Sequence, residues 1–441
     1  MISTRGNAPS SLVGRGGLYL FALSIWLSPA GAYSGLALMM SAAITDPVAR
    51  NSLRRDPMVR LALLFAAVLL IYVLWAAWDT TDSLAELWDG SWKWLRLFLF
   101  FPFVAWWLGG DERRLGIALL LALGGLLLKI SLGIHAHGLD VLWSDRRIGF
   151  GLPVISFGLF CATSLLGLLV LASRWWSAGR PWPGATARFI VWCAALTIVL
   201  QGLITSQSRD AWIAALIVFP PVLILQLSMS LRQAAGVSWP RLGVALVLIA
   251  GLIGSITARN LDTIVARLHD ERASWQALLA GELDKVPDGS IGYRVQMIEF
   301  GLHKWLEQPL LGWGPHSYSA LIEQIDNSRL RVMPHLHNAY IETLLTFGIL
   351  GALFFLYLMG RLCAMIWQSW RAGRLSADYA LFLSGALGLQ FIWCLASFGL
   401  NQVAWNFYFA MLAGAIYGYH MQARAGRIPF HGTVSDERPG S

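Results

Sequence analysis

Charged side chains are scarce in this sequence. They make up 13% of its 441 residues, whereas a water-soluble domain carries about 25%. A chain of this length with so few charges cannot cover a water-facing surface, so a soluble fold is excluded. Disorder is excluded for the same reason. Strict alternation of apolar and polar residues is missing too, which removes an outer-membrane β-barrel. Cysteine is limited to Cys161, Cys193, Cys363 and Cys394, all inside or beside apolar runs, and no C-x-x-C pair exists. That pattern points to small buried hydrophobes and away from disulfides or thiolate metal sites. There is no internal repeat and no low-complexity segment. What the sequence has in abundance is hydrophobic residues, 56% of the total, with a mean hydropathy of +0.58. The fold class expected is therefore all-α, a polytopic integral membrane protein.

A helix needs roughly 20 residues to cross a hydrocarbon core about 30 Å thick. About twelve such runs occur, near 13–29, 32–46, 59–78, 91–108, 115–134, 152–173, 187–205, 210–228, 241–258, 338–360, 378–397 and 402–420. The first pair is one long run broken by Pro29 and Gly31, and Arg5, Arg15 and Ala30-Gly31-Ala32 also resemble a signal peptide. The chain of spans that follows favours a membrane segment there. The net charge of +8 acquires meaning from its distribution. Arg50, Arg54, Arg55, Arg60, Arg113, Arg114, Arg174, Arg361, Arg371, Arg374 and Arg424 all fall in loops on one side. The positive-inside bias makes that side cytoplasmic, with both termini on it. The surplus is thus a topological label and implies no nucleic acid. The loop from about 259 to 336 is polar enough to leave the membrane on the outer side. Ile264, Val265, Leu268, Trp275, Leu278 and Leu279 recur in it at helical spacing, and Leu302, Trp305 and Leu306 mark a second helix ended by Pro309. The tail from about 425 reads as disordered.

Arg on the outer face runs against the bias, so each one there needs a reason. Four outer segments hold them or a His: Asp145-Arg146-Arg147-Ile148-Gly149-Phe150-Gly151, Ser206-Gln207-Ser208-Arg209-Asp210-Ala211-Trp212, Gly292-Tyr293-Arg294, and Pro334-His335-Leu336-His337-Asn338-Ala339-Tyr340. Three Arg and a His meeting at one membrane face match an anionic headgroup or a diphosphate, because guanidinium forks fit phosphate oxygens. The bland reading of any one Arg is snorkelling to lipid phosphates; for Arg209 it is a salt bridge to Asp210. His335 and His337 lie about 200° apart on a helix and cannot form a metal pair on one helical face. His135-Ala136-His137 repeats their spacing, but no cysteine or nearby carboxylate completes a metal site. The outer loops also lack a D-x-D motif. No metal and no cofactor are therefore expected. A neutral His at the start of a helix, where the dipole disfavours its charged form, suits general-base duty. Glu342 is the clearest carboxylate inside a span, and pairing across helices is its expected role.

These segments resemble a known family. His335-Leu336-His337-Asn338, followed by Gly348 and Gly351, looks like the H-x-H-N signature of the O-antigen ligase family. Ser206-Gln207-Ser208-Arg209-Asp210-Ala211-Trp212 is similar to its S-x-S-R-x-A-W segment. Arg294 with Pro309, Gly312 and Gly314 resembles its R…P-x-x-G-x-G stretch. Arg147-Ile148-Gly149-Phe150 is close to its R-x-G-x element, although the N-P-N that often follows is missing. The ordered motifs span roughly 140–360. The resemblance implies a GT-C type glycosyltransferase of the bacterial inner membrane, acting at the periplasmic face. It would move O-antigen polysaccharide from undecaprenyl diphosphate to a sugar hydroxyl of lipid A–core. On that reading His337 is the general base and Arg147, Arg209 and Arg294 hold the diphosphate, with Asn338, His335 and Tyr293 in support. The implied layout is transmembrane helices one to nine over 1–258, a periplasmic helical loop over 259–336, helices ten to twelve over 337–421 and a cytoplasmic tail over 422–441.

Two rival functions remain. A polymerase of O-antigen or exopolysaccharide shares the chemistry and differs in acceptor. Protein-glycosylating relatives are disfavoured because no large C-terminal periplasmic region is present. A lipid-linked glycan transporter predicts charges deep in several spans and internal duplication, and neither is evident.

Overall fold

The computed structural model describes residues 9–79, 84–143, 146–176, 182–232, 251, 254–269, 272–282, 286–287, 289–325 and 327–424. Every regular element among them is helical. In chain order these are α1 Pro9–Ser24, α2 Pro29–Thr45, α3 Pro47–Arg55, α4 Pro57–Asp79, α5 Leu84–Leu99, α6 Phe101–Leu108, α7 Glu112–His137, α8 Val154–Val170, α9 Ala172–Trp176, α10 Trp182–Thr205 and α11 Arg209–Arg232. They continue with α12 Leu261–His269, α13 Arg272–Leu279, α14 Ser290–Glu307, α15 Ser317–Ile322, α16 Ser328–Arg331, α17 Ala339–Arg371, α18 Ala377–Cys394 and α19 Val403–Arg424. A 3₁₀ turn at Leu139–Trp143 follows α7.

Among the described residues six helices are long and apolar enough to cross a membrane: α4, α7, α10, α11, α17 and α18. The shorter apolar helix α8 packs against α10, α11 and α18. The expected break between the first two spans falls where Ser28 caps α2 and Pro29 opens it. Pro suits that first turn because its missing N–H has no helical partner there. The run near 91–108 is two helices: Pro102 stands in the first turn of α6, so the ladder restarts after Leu99. The helix expected to end near 360 runs on to Arg371, its 33 residues interrupted by a kink at Gly348. The expected span near 241–258 and the tail beyond 424 lie largely outside the described residues.

The interior is one apolar cluster reaching from Leu18 to Met421, with α19 as its most buried element. An apolar cavity of about 230 Å³ opens between α1, α7, α8, α18 and α19. At its polar end Arg174 binds Glu112 and Asp378, joining α7, α9 and α18. The 286–336 stretch carries a smaller core of its own, with Met297, Leu321, Ile322, Leu330 and Leu336 packed on Leu345 of α17. This second core seats the 286–336 stretch on the start of α17, which is where the candidate site lies.

Candidate functional site

Helix α17 starts at a well-made N-cap. The Asn338 carboxamide accepts the Tyr340 and Ile341 amides at 3.0 and 3.1 Å, and its Nδ2 donates to the Leu395 carbonyl at 2.8 Å. His337 stands just outside the cap at φ +56°, a left-handed conformation costing roughly 1–3 kcal/mol for a non-glycine residue. Its neighbours hold it there. The His337 amide donates to Nδ1 of His335 at 3.1 Å, and the Leu336 amide donates to Glu342 at 2.8 Å. The His335 ring lies 4.2 Å from that of His337 and 5.6 Å from Phe398, and Asn401 donates to the Pro334 carbonyl. Glu342, expected to pair across helices, folds back onto its own loop, although Lys93 of α5 also acts on it.

Two more non-glycine residues are left-handed, Phe150 at +51° and Gln207 at +46°. Each lies in one of the other motif segments. The Ile148 amide donates to the Thr205 carbonyl at 3.3 Å, which brings the Arg147 segment against the α10–α11 turn. Within that turn Ser206 Oγ accepts the Ser208 amide, and Ser208 Oγ donates to Ile155 of α8. Such strained residues persist only where surroundings over-determine them, and here three segments in contact or close succession share the trait.

The centre of the arrangement is an ion pair between α11 and α14. Arg294 Nη1 and Nη2 each donate to an Asp210 carboxylate oxygen at 2.9 Å, with side chains 20% and 4% exposed. Ser397 donates to the same carboxylate at 2.7 Å. Beside the bland reading of Arg209 as a partner of Asp210, the structure pairs Asp210 with Arg294 from α14. His337 is close enough to feel both charges. Burial pushes its ring down to about 4, Arg294 adds to the drop and Asp210 opposes it. His335 is pushed down to about 3 by burial, then by His337 and Arg294. Both rings are therefore neutral at pH 7. The expectation of a neutral His337 stands with a different cause, since desolvation and a guanidinium act where the helix dipole was invoked. Its Nδ1 is buried without a hydrogen-bond partner.

Arg209 is half-buried at the first residue of α11, and Arg147 is exposed. Tyr293 accepts a hydrogen bond from Arg329 at 2.8 Å, so it braces α14 against α16. His135 and His137 are exposed at the end of α7. Among the described residues no three His, Cys, Asp or Glu side chains gather as metal ligands would, and all four cysteines are free thiols. Sequence reasoning missed Ser397, Phe398 and Asn401. They lie in a short loop after α18 that carries none of the motif segments.

The glycines of the P-x-x-G-x-G stretch have a mechanical use. Gly348 breaks α17 with φ +62° and ψ −167°, freeing backbone groups that residues 309–314 then satisfy. Ile349 and Leu350 donate to the Pro309 and Leu310 carbonyls, while Trp313 and Gly314 donate to Leu345 and Thr346 at 2.8 Å. A Cβ on Gly312 would lie 2.5 Å from the Gly348 nitrogen. The 309–314 segment is thereby stitched into the kink, about two and a half turns into α17 from its N-cap.

A multi-pass, all-helical membrane protein with an Arg–His site at one end of its bundle is the class these features define. Residues 194–356, from the middle of α10 to the middle of α17, match the family model described as O-antigen ligase. That stretch contains Arg209, Asp210, Arg294, His335 and His337 and agrees with the family the motifs resemble. A search of curated proteins finds no match.

Proposed function

We propose that the chain is an O-antigen ligase, moving polysaccharide from undecaprenyl diphosphate to a sugar hydroxyl of lipid A–core at the periplasmic face of the inner membrane. The observation that carries this reading is the meeting of neutral His337 with Arg294 and Asp210 inside the matched stretch. In the proposed reaction the acceptor hydroxyl oxygen attacks the anomeric carbon and the carbon–oxygen bond to the diphosphate breaks. The anomeric centre inverts, and the hydroxyl proton passes to His337. Charge grows on the departing diphosphate, so guanidinium contacts that tighten there lower the barrier. Asp210 takes the Nη1–Nη2 edge of Arg294, which leaves the edge bearing Nε for phosphate. Arg209 and Arg147 supply further positive charge from the neighbouring segments. The bound diphosphate also raises the low basicity of His337 just when a base is needed, since a nearby anion favours the imidazolium. No metal is invoked, because Arg serves in place of a divalent ion. Both termini are assigned to the cytoplasm and residues 259–336 to a periplasmic cap.

The test is transfer in vitro by detergent-purified protein with undecaprenyl diphosphate-linked glycan and lipid A–core. Product on core, with none from glycan alone, is the expected result. Elongated lipid-linked glycan in the absence of core would instead make the chain a polymerase. Activity without any vesicle also separates an enzyme from a transporter.

A further inference from the structure

At the end of the bundle away from the histidine loop, α17 and α19 carry a basic cluster that the transfer reaction does not use. His420 lies in the last turns of α19, and Arg424, Arg361 and Arg374 all put positive potential on its ring. These three Arg come from three places in the chain, α19, α17 and the α17–α18 turn. Nε2 of His420 is buried without a hydrogen-bond partner, while the ring packs 6.1 Å from Tyr417. The nearby acid is Asp56, which accepts the Tyr417 hydroxyl at 2.7 Å and the amides of Met58 and Val59 and also attracts Arg424, leaving one carboxylate against three guanidinium groups. An apolar groove begins at the same point. Met58 of α4, Phe101 of α6, Phe355 and Leu358 of α17 and Tyr417 of α19 line it, and Arg361 stands on its wall.

We propose that this face holds an anionic phospholipid, its headgroup phosphate bound by Arg361, Arg424 and Arg374 beside His420 and an acyl chain lying in the groove. Charge complementarity selects the headgroup, and the continuity of groove with cluster selects a lipid over a free ion. A guanidinium cluster attracts anionic lipid by about 1 kcal/mol per residue near the surface, and the apolar groove adds chain burial that inorganic phosphate lacks. The larger cavity on the other side of α19 offers no such site, since Arg174 there already binds Glu112 and Asp378.

The test is native mass spectrometry of the full-length protein from mixed micelles holding phosphatidylglycerol and phosphatidylcholine in equal amounts. Wild type should retain one phosphatidylglycerol with about tenfold preference. Arg361→Ala/Arg424→Ala should lose that preference, and Arg361→Lys/Arg424→Lys should keep most of it. Arg50→Ala/Arg54→Ala, on exposed positions of α3, should bind as wild type does. Equal retention of the two lipids by wild type would overturn the site, whether or not the variants fold. Loss of the preference in the α3 variant would do so as well, by making the attraction diffuse. Displacement of the lipid by inorganic phosphate would reassign the cluster to a free anion.

Discussion

His337 is held at φ +56° by a loop tied down through Asn338, His335 and Glu342, while its own Nδ1 is buried without a partner and its ring is desolvated beside a guanidinium. This has consequences for pH. The folded rings of His337 and His335 sit at about 4 and about 3, below the ordinary 6.5. Between those values the unfolded chain holds protons that the folded state does not. Stability is therefore complete above pH 6.5 and falls as pH drops toward 4, the direction linkage requires. For the same reason kcat/KM for transfer should stay level down to about pH 5 and then decline, while kcat should show its acid limb at higher pH because bound diphosphate raises His337. A limb in kcat/KM centred at 6.5 would show that the ring is solvated. The Arg294–Asp210 pair makes a second prediction. Asp210→Asn leaves a largely buried guanidinium short of its partner, at a cost on the order of 3 kcal/mol, and transfer should fall with it. Arg294→Lys cannot fork onto both Asp210 oxygens and should lower transfer by about 10²-fold. A thermal melt and a transfer assay on each variant check both.

The elements explain why the glycines of the loop and of α17 occur together. Gly348 opens the helix and Gly312 lets another backbone approach the opening. An Ala at 312, where φ is +69°, must adopt a left-handed backbone at about 1–2 kcal/mol, and its Cβ must also push the strand off the kink. Gly312→Ala should then lower thermal stability and transfer together, whereas Gly373→Ala, left-handed but in open space, should cost stability alone. Most of the long helices were legible from apolar runs, because hydrophobicity over about twenty residues is a strong signal. Six helices among the described residues are long and apolar enough to cross a membrane, however, where about twelve spans were expected, and short elements such as α3, α9, α15 and α16 left no such signal. Where the helix ladder breaks within a run was less legible: Pro102 and Gly348 redirect the chain through backbone hydrogen bonds that hydropathy does not register. Four motif segments could be singled out because Arg is out of place on the side expected to be outer. Their pairing could not. Whether Asp210 serves Arg209 or Arg294 depends on which way successive residues of α11 face, and Ser397 reaches Asp210 from 187 positions away in the chain.

Over the whole molecule, the two ends of the bundle do different work with the same residue type. At one end Arg294 is held by the Asp210 carboxylate, to which Ser397 also donates, beside His337. At the other, Arg361, Arg374 and Arg424 act on His420 next to the apolar groove proposed to take a lipid chain. On the proposed topology, the surplus of eight positive charges seen in the sequence marks the cytoplasmic side and overlies the two proposed sites. Because the proposed transfer relies on Arg for phosphate charge, activity should persist undiminished in EDTA, and strict dependence on an added divalent ion would contradict that. The most direct test of the central claim is the initial rate of glycan transfer to lipid A–core by purified His337→Ala, with helicity and melting compared to wild type. Loss of a general base predicts a fall of about 10²–10⁴-fold in a protein that still folds. A folded variant that transfers glycan at close to the wild-type rate would contradict the account.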